Sequence, residues 1–168
     1  MDTRFTDAAQ ALIPLLEGNA AESERLRHVA PESVQAMKDA GLWRLITAQS
    51  NGGSEAGLRA QVDTLFMICA ADPAAGWVQM VSNAHSWMVG NFPAACQSEV
   101  FANGPDCRVP GTLASQGRAV KVDNGWQLDG RWQFASGIDH GDWLLIGAIA
   151  DVLPESPTRL IHVIVPKA

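Results

Sequence analysis

Residues 110 to 151 read PGTLASQGRAVKVDNGWQLDGRWQFASGIDHGDWLLIGAIAD, and the fold turns on them. RAVKVD, residues 118 to 123, has the composition of an extended segment. Asn124-Gly125 is the dipeptide favoured in a type I′ hairpin, and WQLDGRWQFA, 126 to 135, reads as the returning strand. Trp126 and Leu128, then Trp132 and Phe134, alternate with polar residues, the period-two pattern of a strand with one covered face. WLLIGAIA, 143 to 150, and RLIHVIV, 159 to 165, are apolar enough for strands covered on both faces. About five strands fit into this region.

Upstream of it the period changes to that of helices. An Ala/Leu-rich helix is expected over Asp7 to Leu26, with an interruption near Pro14 and Gly18. A second opens at Pro31, carries Val34 and Met37 on one face and stops at Gly41, after which Leu42 to Ile46 leaves in an extended conformation. After the NGGSEAG loop at 51 to 57, Leu58, Val62, Leu65, Phe66 and Cys69 recur at the spacing of one apolar helix face. Asp72 supplies a capping oxygen and Pro73 a pre-set first turn for a helix through Trp77, Val81, His85 and Met88 to Gly90. A short fifth helix is expected from Pro93 to about Ala102. The chain is therefore expected to be α+β: an N-terminal helical bundle over 1–106, then a partial antiparallel β-barrel or sandwich domain over 107–168, the junction falling near 104 to 108. Ile161, Val163 and Val165 form an apolar terminal edge, which the rest of a longer polypeptide or a second subunit should cover.

Composition narrows the function. Of 168 residues, 47% are hydrophobic and 18% charged, which describes a globular chain with a real core. The formal charge of −6, without a Lys/Arg cluster, argues against nucleic acid or an anionic membrane as partner. No apolar run is long enough to span a bilayer, and MDTRFTDAAQ has no basic segment followed by an apolar one, so a cytoplasmic protein is expected. Cys69, Cys96 and Cys107, odd in number and far apart, suit free thiols. GGSEAG lacks the GK[ST] ending of a phosphate loop, and the glycine positions of G-x-S-x-G around Ser136 are filled by Phe134 and Ile138, so neither a nucleotide loop nor a hydrolase elbow is present. Asp139, His140 and Asp142 read as a polar turn, not a metal site, because neighbours in sequence seldom converge on one ion. His28 and His162 have no partner suggested by the sequence.

On these residues the chain resembles the acyl-CoA dehydrogenase-like flavoproteins, most of all their two-component, group D flavin-dependent monooxygenases. The resemblance rests on a Gly-Thr-containing strand, the NGW hairpin, a G-[RK]-W-x-F-x-S-G pattern at 130 to 137 and an apolar strand. Upstream, DAGLWRLITAQSNGG and AADPAAGWVQMVSNAH occur in similar order and spacing. It implies the N-terminal helical domain and part of the central β-domain, without the family's C-terminal helical domain. It further implies that Ser136 faces the flavin N5 and that Phe134 lies beside the flavin ring. Thr112, Leu113, Ala114 and Ser115 would meet the pyrimidine edge, and His85 would stand near the reacting oxygen and the substrate. Phe134 and Ser136, two apart, would share one face of a strand. A neutral His85 imidazole could accept a phenolic proton; its structural alternative is a histidine satisfied by a carbonyl at a helix interface. The implied activity is that of an oxygenase component using reduced flavin, FMN or FAD, from a separate flavin reductase, with O2, to hydroxylate a small organic, and in particular an aromatic, substrate. The alternatives are an FAD-dependent acyl-CoA dehydrogenase-like enzyme, whose acidic-proline signature is absent, and a truncated, non-catalytic subunit or interaction module. A homo-oligomer or a complementing C-terminal chain is the expected assembly.

Overall fold

A computed structural model describes residues 3–123, 125–151 and 159–167. Five helices come first: α1 (Arg4–Leu26), α2 (Pro31–Asp39), α3 (Leu58–Ala71), α4 (Pro73–Val89) and α5 (Ala94–Val100). Four strands follow among the described residues: β1 (Gly111–Val122), β2 (Gly125–Gly130), β3 (Trp143–Ala150) and β4 (Leu160–Pro166).

The starts and stops of the helices follow local chemistry. Asp72 accepts from the backbone N–H groups of Ala74 and Ala75 at 2.9 and 3.2 Å, so the expected cap opens α4. Gly41, with φ +71°, takes the left-handed conformation after α2. Two expectations are corrected here. First, α1 runs without a break through Pro14 and Gly18, which both face solvent, where water can serve the carbonyl that proline leaves without a donor. Second, Leu42 to Ile46 is not extended: Leu42–Arg44 winds into a 3-10 turn. Leu42, Trp43 and Leu45 are completely buried, and the Trp43 indole donates to the Val34 carbonyl at 3.0 Å. Gln79 and Asn83 both donate to the Leu42 carbonyl, at 3.0 and 2.9 Å, so α4 itself holds the turn. The helical core gathers around Trp43, Leu16, Met37 and Ile68.

The apolar face read on α3 is present but points the other way from a core. Leu58, Val62 and Phe66 are 76%, 53% and 78% exposed, while the buried side carries Gln61, Thr64, Ile68 and Ala71. Gly76 of α4 lets Cys69 approach so closely that a Cβ there would stand 2.2 Å from its Sγ. Apart from Ile68, the buried side of α3 is thus small or polar, and Leu58, Val62 and Phe66 are left outside.

The sheet order is β2-β1-β3-β4, with β1/β2 and β3/β4 antiparallel. The expected antiparallel pairing holds for these two outer pairs, whereas the central pair β1/β3 is parallel. The crossing between β1 and β3, through β2 and the 131–142 connection, is what returns the chain in the same direction. Val122 pairs with Gly125, so two residues join β1 to β2; the Asn124-Gly125 turn type expected from sequence depends on Asn124, which lies outside the described residues. Expected to reach Ala135, the returning strand ends at Gly130. The Trp132 ring lies where a Cβ on Gly117 would stand, 2.1 Å away, and its indole donates to the Gly147 carbonyl at 2.7 Å, so this side chain reaches over β1 to β3 where the chain leaves the ladder.

A second core of Val89, Val100, Phe101, Cys107, Val109 and Leu145 joins sheet to helices. Three side chains of α4 secure the joint. Ser82 Oγ accepts from the Val109 N–H (3.2 Å), His85 Nδ1 donates to the Val109 carbonyl (2.9 Å) and Ser86 donates to the Cys107 carbonyl (3.2 Å). Arg44 and Asp106 add an ion pair at 2.5 Å. The docking of sheet on helices is therefore fixed along α4, the element that also reaches the site.

Candidate functional site

The candidate residues converge because β1 is irregular. Thr112 pairs with Ile146 and Ser115 with Gly147, so Leu113 and Ala114 have no counterpart on β3 and bulge from the ladder. Gly147 makes room for the bulge: a Cβ there would stand 2.4 Å from the Leu113 carbonyl oxygen and 2.9 Å from that of Ala114. His162 Nε2, on β4, donates to the Leu113 carbonyl at 3.3 Å. Leu113, Ala114 and Ser115 are left at the surface, with Thr112 half-buried.

The chain after β2 runs back along this edge. Gln133 N–H donates to Gln116 Oε1 at 2.6 Å and Gln116 Nε2 to the Gln133 carbonyl at 3.3 Å, while Ser136 bridges to Gly111. Phe134 and Ser136 therefore lie alongside Thr112 to Ser115. They do so outside any strand, which corrects the expectation that one strand presents both to one face. Phe134 has φ +61°, a conformation rare for a bulky residue, and its ring is 88% exposed. Ser136 instead turns toward the helices, where the Trp77 indole N–H donates to its Oγ at 2.9 Å. One lone pair of that oxygen is thereby engaged and its own O–H stays free to donate.

A cavity of about 760 Å3 opens beside this bond, between the end of α1, the start of α4 and the 136–140 turn. Trp77, Val78, Ser136 and Gly137 line it together with Arg27, His28 and His140. His85 does not line it. His85 is buried, with Nδ1 on the Val109 carbonyl, as a structural histidine would be. Burial holds it below the ordinary imidazole range, the Val109 carbonyl pulls the other way and His162 adds to the lowering. The ring is neutral at pH 7, with Nε2 as an acceptor.

The structure thus brings Thr112, Leu113, Ala114, Ser115, Phe134 and Ser136 to one edge and leaves His85 buried on the Val109 carbonyl. Sequence reading missed Trp77 as a partner of Ser136, and His162 as a partner of the bulge. An indole 59 positions from a serine leaves no trace in local pattern. Cys69, Cys96 and Cys107 are free thiols, Cys107 pushed up to about 12 by burial. Among the described residues no group of three or more His, Cys, Asp or Glu could hold a metal, and no helix is long and apolar enough to cross a membrane.

A helical bundle docked through one helix onto a curled, bulged sheet, with a hydroxyl and an exposed aromatic ring on the bulged edge, defines an acyl-CoA dehydrogenase-like flavoprotein architecture. No protein-family model matches the chain. Individual proteins do. The chain is 34% identical over 149 residues to a pigment production hydroxylase of Rhodococcus erythropolis, covering 87% of this chain and 38% of that one. The crystal structure of 3-HSA hydroxylase from Rhodococcus sp. RHA1 superposes with a TM-score of 0.90 at 28% identity, over 97% of this chain and 42% of that one. XiaF from Streptomyces sp., solved with FADH2 and glycerol, gives 0.89 at 28%, over 96% and 41%. Over nearly its whole length the chain is similar to oxygenase components of two-component flavin-dependent monooxygenases of the acyl-CoA dehydrogenase-like superfamily, and it spans about two fifths of the length of the relatives it matches.

Proposed function

We propose that the chain is the helical and β-sheet portion of the oxygenase component of a reduced-flavin-dependent monooxygenase that hydroxylates a small aromatic substrate. The observation that carries this reading is the bulged β1 edge, where Phe134, 88% exposed at φ +61°, stands beside Ser136 and the Leu113–Ala114 bulge. A strained, bare aromatic at a loop is costly unless something planar covers it. The residues present fit a flavin: a ring for contact, backbone of a bulge for the polar pyrimidine edge and a hydroxyl proton free to donate. Bound reduced flavin, FMN or FAD, would supply the electrons and activate O2. Ser136 would donate to its N5 side and Phe134 would exclude water from the ring, while Thr112 to Ser115 fix its orientation. His85, neutral with Nε2 as an acceptor, would take up the proton of a phenolic substrate.

The division into a helical domain, 1–106, and a β-domain, 107–168, belongs to this reading, as do a separate flavin reductase as electron supplier and a cytoplasmic setting. A complementing helical chain, or a further copy in a homo-oligomer, is favoured by the outward apolar face of α3: Val62, Leu65, Phe66 and Cys69 line an apolar groove of about 490 Å3 with Trp77 and Met80. The test is to mix the purified chain with reduced FMN or FAD under anaerobic conditions, measure binding, then admit air and follow oxygen uptake. Saturable binding that is lost in Phe134→Ala is the expected result. Binding by the variant as tight as by the wild type would refute the assignment of this edge.

A further inference from the structure

The turn that carries Ser136 is fastened to the helices at its far end by two histidines. Ile138–His140 forms a short 3-10 turn, and the His140 ring meets His28, from the connection between α1 and α2, edge to face with centroids 5.2 Å apart. His28 Nδ1 donates to the Val29 carbonyl at 3.0 Å. His140 Nε2 is buried without a hydrogen-bond partner among the described residues. In a neutral ring such a nitrogen is a bare lone pair. Once protonated it is a buried donor on a cation that faces a second imidazole, which is far more costly.

The charges around the pair come from every neighbouring element. Asp139 precedes His140 in the turn, and Lys167, after β4, donates to the Asp139 carbonyl at 3.0 Å. Arg108 reaches the pair from the connection before β1, itself bonded to Asp142 at 3.1 Å. Glu24 and Arg27, at the end of α1, line the same cavity. Burial and then His28 hold His140 below the ordinary imidazole range, with Arg108 acting in the same sense and the Val29 carbonyl and Asp139 opposing.

We propose that His140, seated on His28, is a positioning residue for Ser136: with the His140 ring neutral the 136–140 turn is held against α1 and α4 with Ser136 Oγ on the Trp77 indole, and protonation of His140 releases it. The sign follows from linkage. His140 binds its proton less readily in the docked turn than when free, so docking is fully stabilised above the ordinary value of 6.5 and weakens as pH falls below it. Its consequence for flavin chemistry rests on the role proposed for Ser136; the latch itself does not.

The test needs no flavin. The Trp77 indole N–H resonance of the full chain, assigned by its loss in Trp77→Phe, is followed by NMR from about pH 8 to about pH 5. The expected result is a reversible shift with a midpoint below 6.5, abolished in His140→Gln and moved upward in His28→Gln, while amides of α2 stay in place. A resonance that does not move, a shift that persists in His140→Gln, or collapse of the whole helical spectrum at one pH in all variants would each overturn the latch. If His140→Gln does not fold, the upward shift in His28→Gln decides alone. A flavin affinity that ignores the transition would count against the role of Ser136 and leave the latch standing.

Discussion

The helical bundle and the sheet differ in what they seal from water. In the bundle Trp43, Leu16, Met37, Leu42 and Ile68 are sealed from water, and even the polar Gln79 and Asn83 of α4 are buried on a backbone carbonyl. On the sheet side Phe134, Val120, Val122, Ile149 and Leu160 are between 42% and 88% exposed. The sealed interior of the bundle is therefore the main source of stability, and the sheet, like the outward face of α3, offers surface. Exposed apolar residues on the sheet edge and on α3 mark two places where the chain offers surface to something else.

The contrast can be broken most forcefully in the bundle. Trp43→Ala empties a fully buried site and removes the indole bond to Val34, and should cost about 3–5 kcal/mol in denaturant unfolding. A loss of less than about 1 kcal/mol would mean that the bundle is not the stabilising half. Gly147→Ala probes the seam between strands. Its methyl would meet the Leu113 carbonyl at 2.4 Å, so the bulge must move; about 1–3 kcal/mol of stability should go, together with flavin affinity. Unchanged affinity would detach the bulge from the site.

Titration of His85 sharpens the comparison from another side. Its folded value is lowered by burial, so it stabilises the joint between bundle and sheet above pH 6.5 and that contribution fades as the pH falls below it. His85→Gln should flatten the acid limb of the stability profile, read by thermal melting at a series of pH values. The smallest effect belongs to Phe134→Ala, within about 0.5 kcal/mol of wild type, because the ring is already in solvent.

The two halves also differed in how far the sequence revealed them. Asp72-Pro73, Gly41 and the Leu58 to Cys69 spacing mark helix ends and a helix face from chemistry within a few residues. The apolar runs at 143–150 and 159–165 likewise mark β3 and β4 from local composition. What failed depended on remote partners. The Leu42–Arg44 turn is held by Gln79 and Asn83, about forty positions on. The α3 face reads as apolar whichever way it points, since periodicity records a stripe but not what covers it. β2 ends early because the Trp132 ring requires Gly117 beneath it. Phe134 and Ser136 were found through the resemblance and do share an edge, but a positive φ and a bond to Trp77 place them, not strand alternation.

The central claim is that the bulged edge of β1 receives flavin. Backbone amide mapping of the labelled chain during titration with FMN and then FAD tests it most directly. Saturable shifts should centre on Thr112 to Ser115 and Phe134 to Gly137 and include the Trp77 indole, with α2 unmoved. Shifts that saturate elsewhere, or none at millimolar flavin, would contradict the assignment.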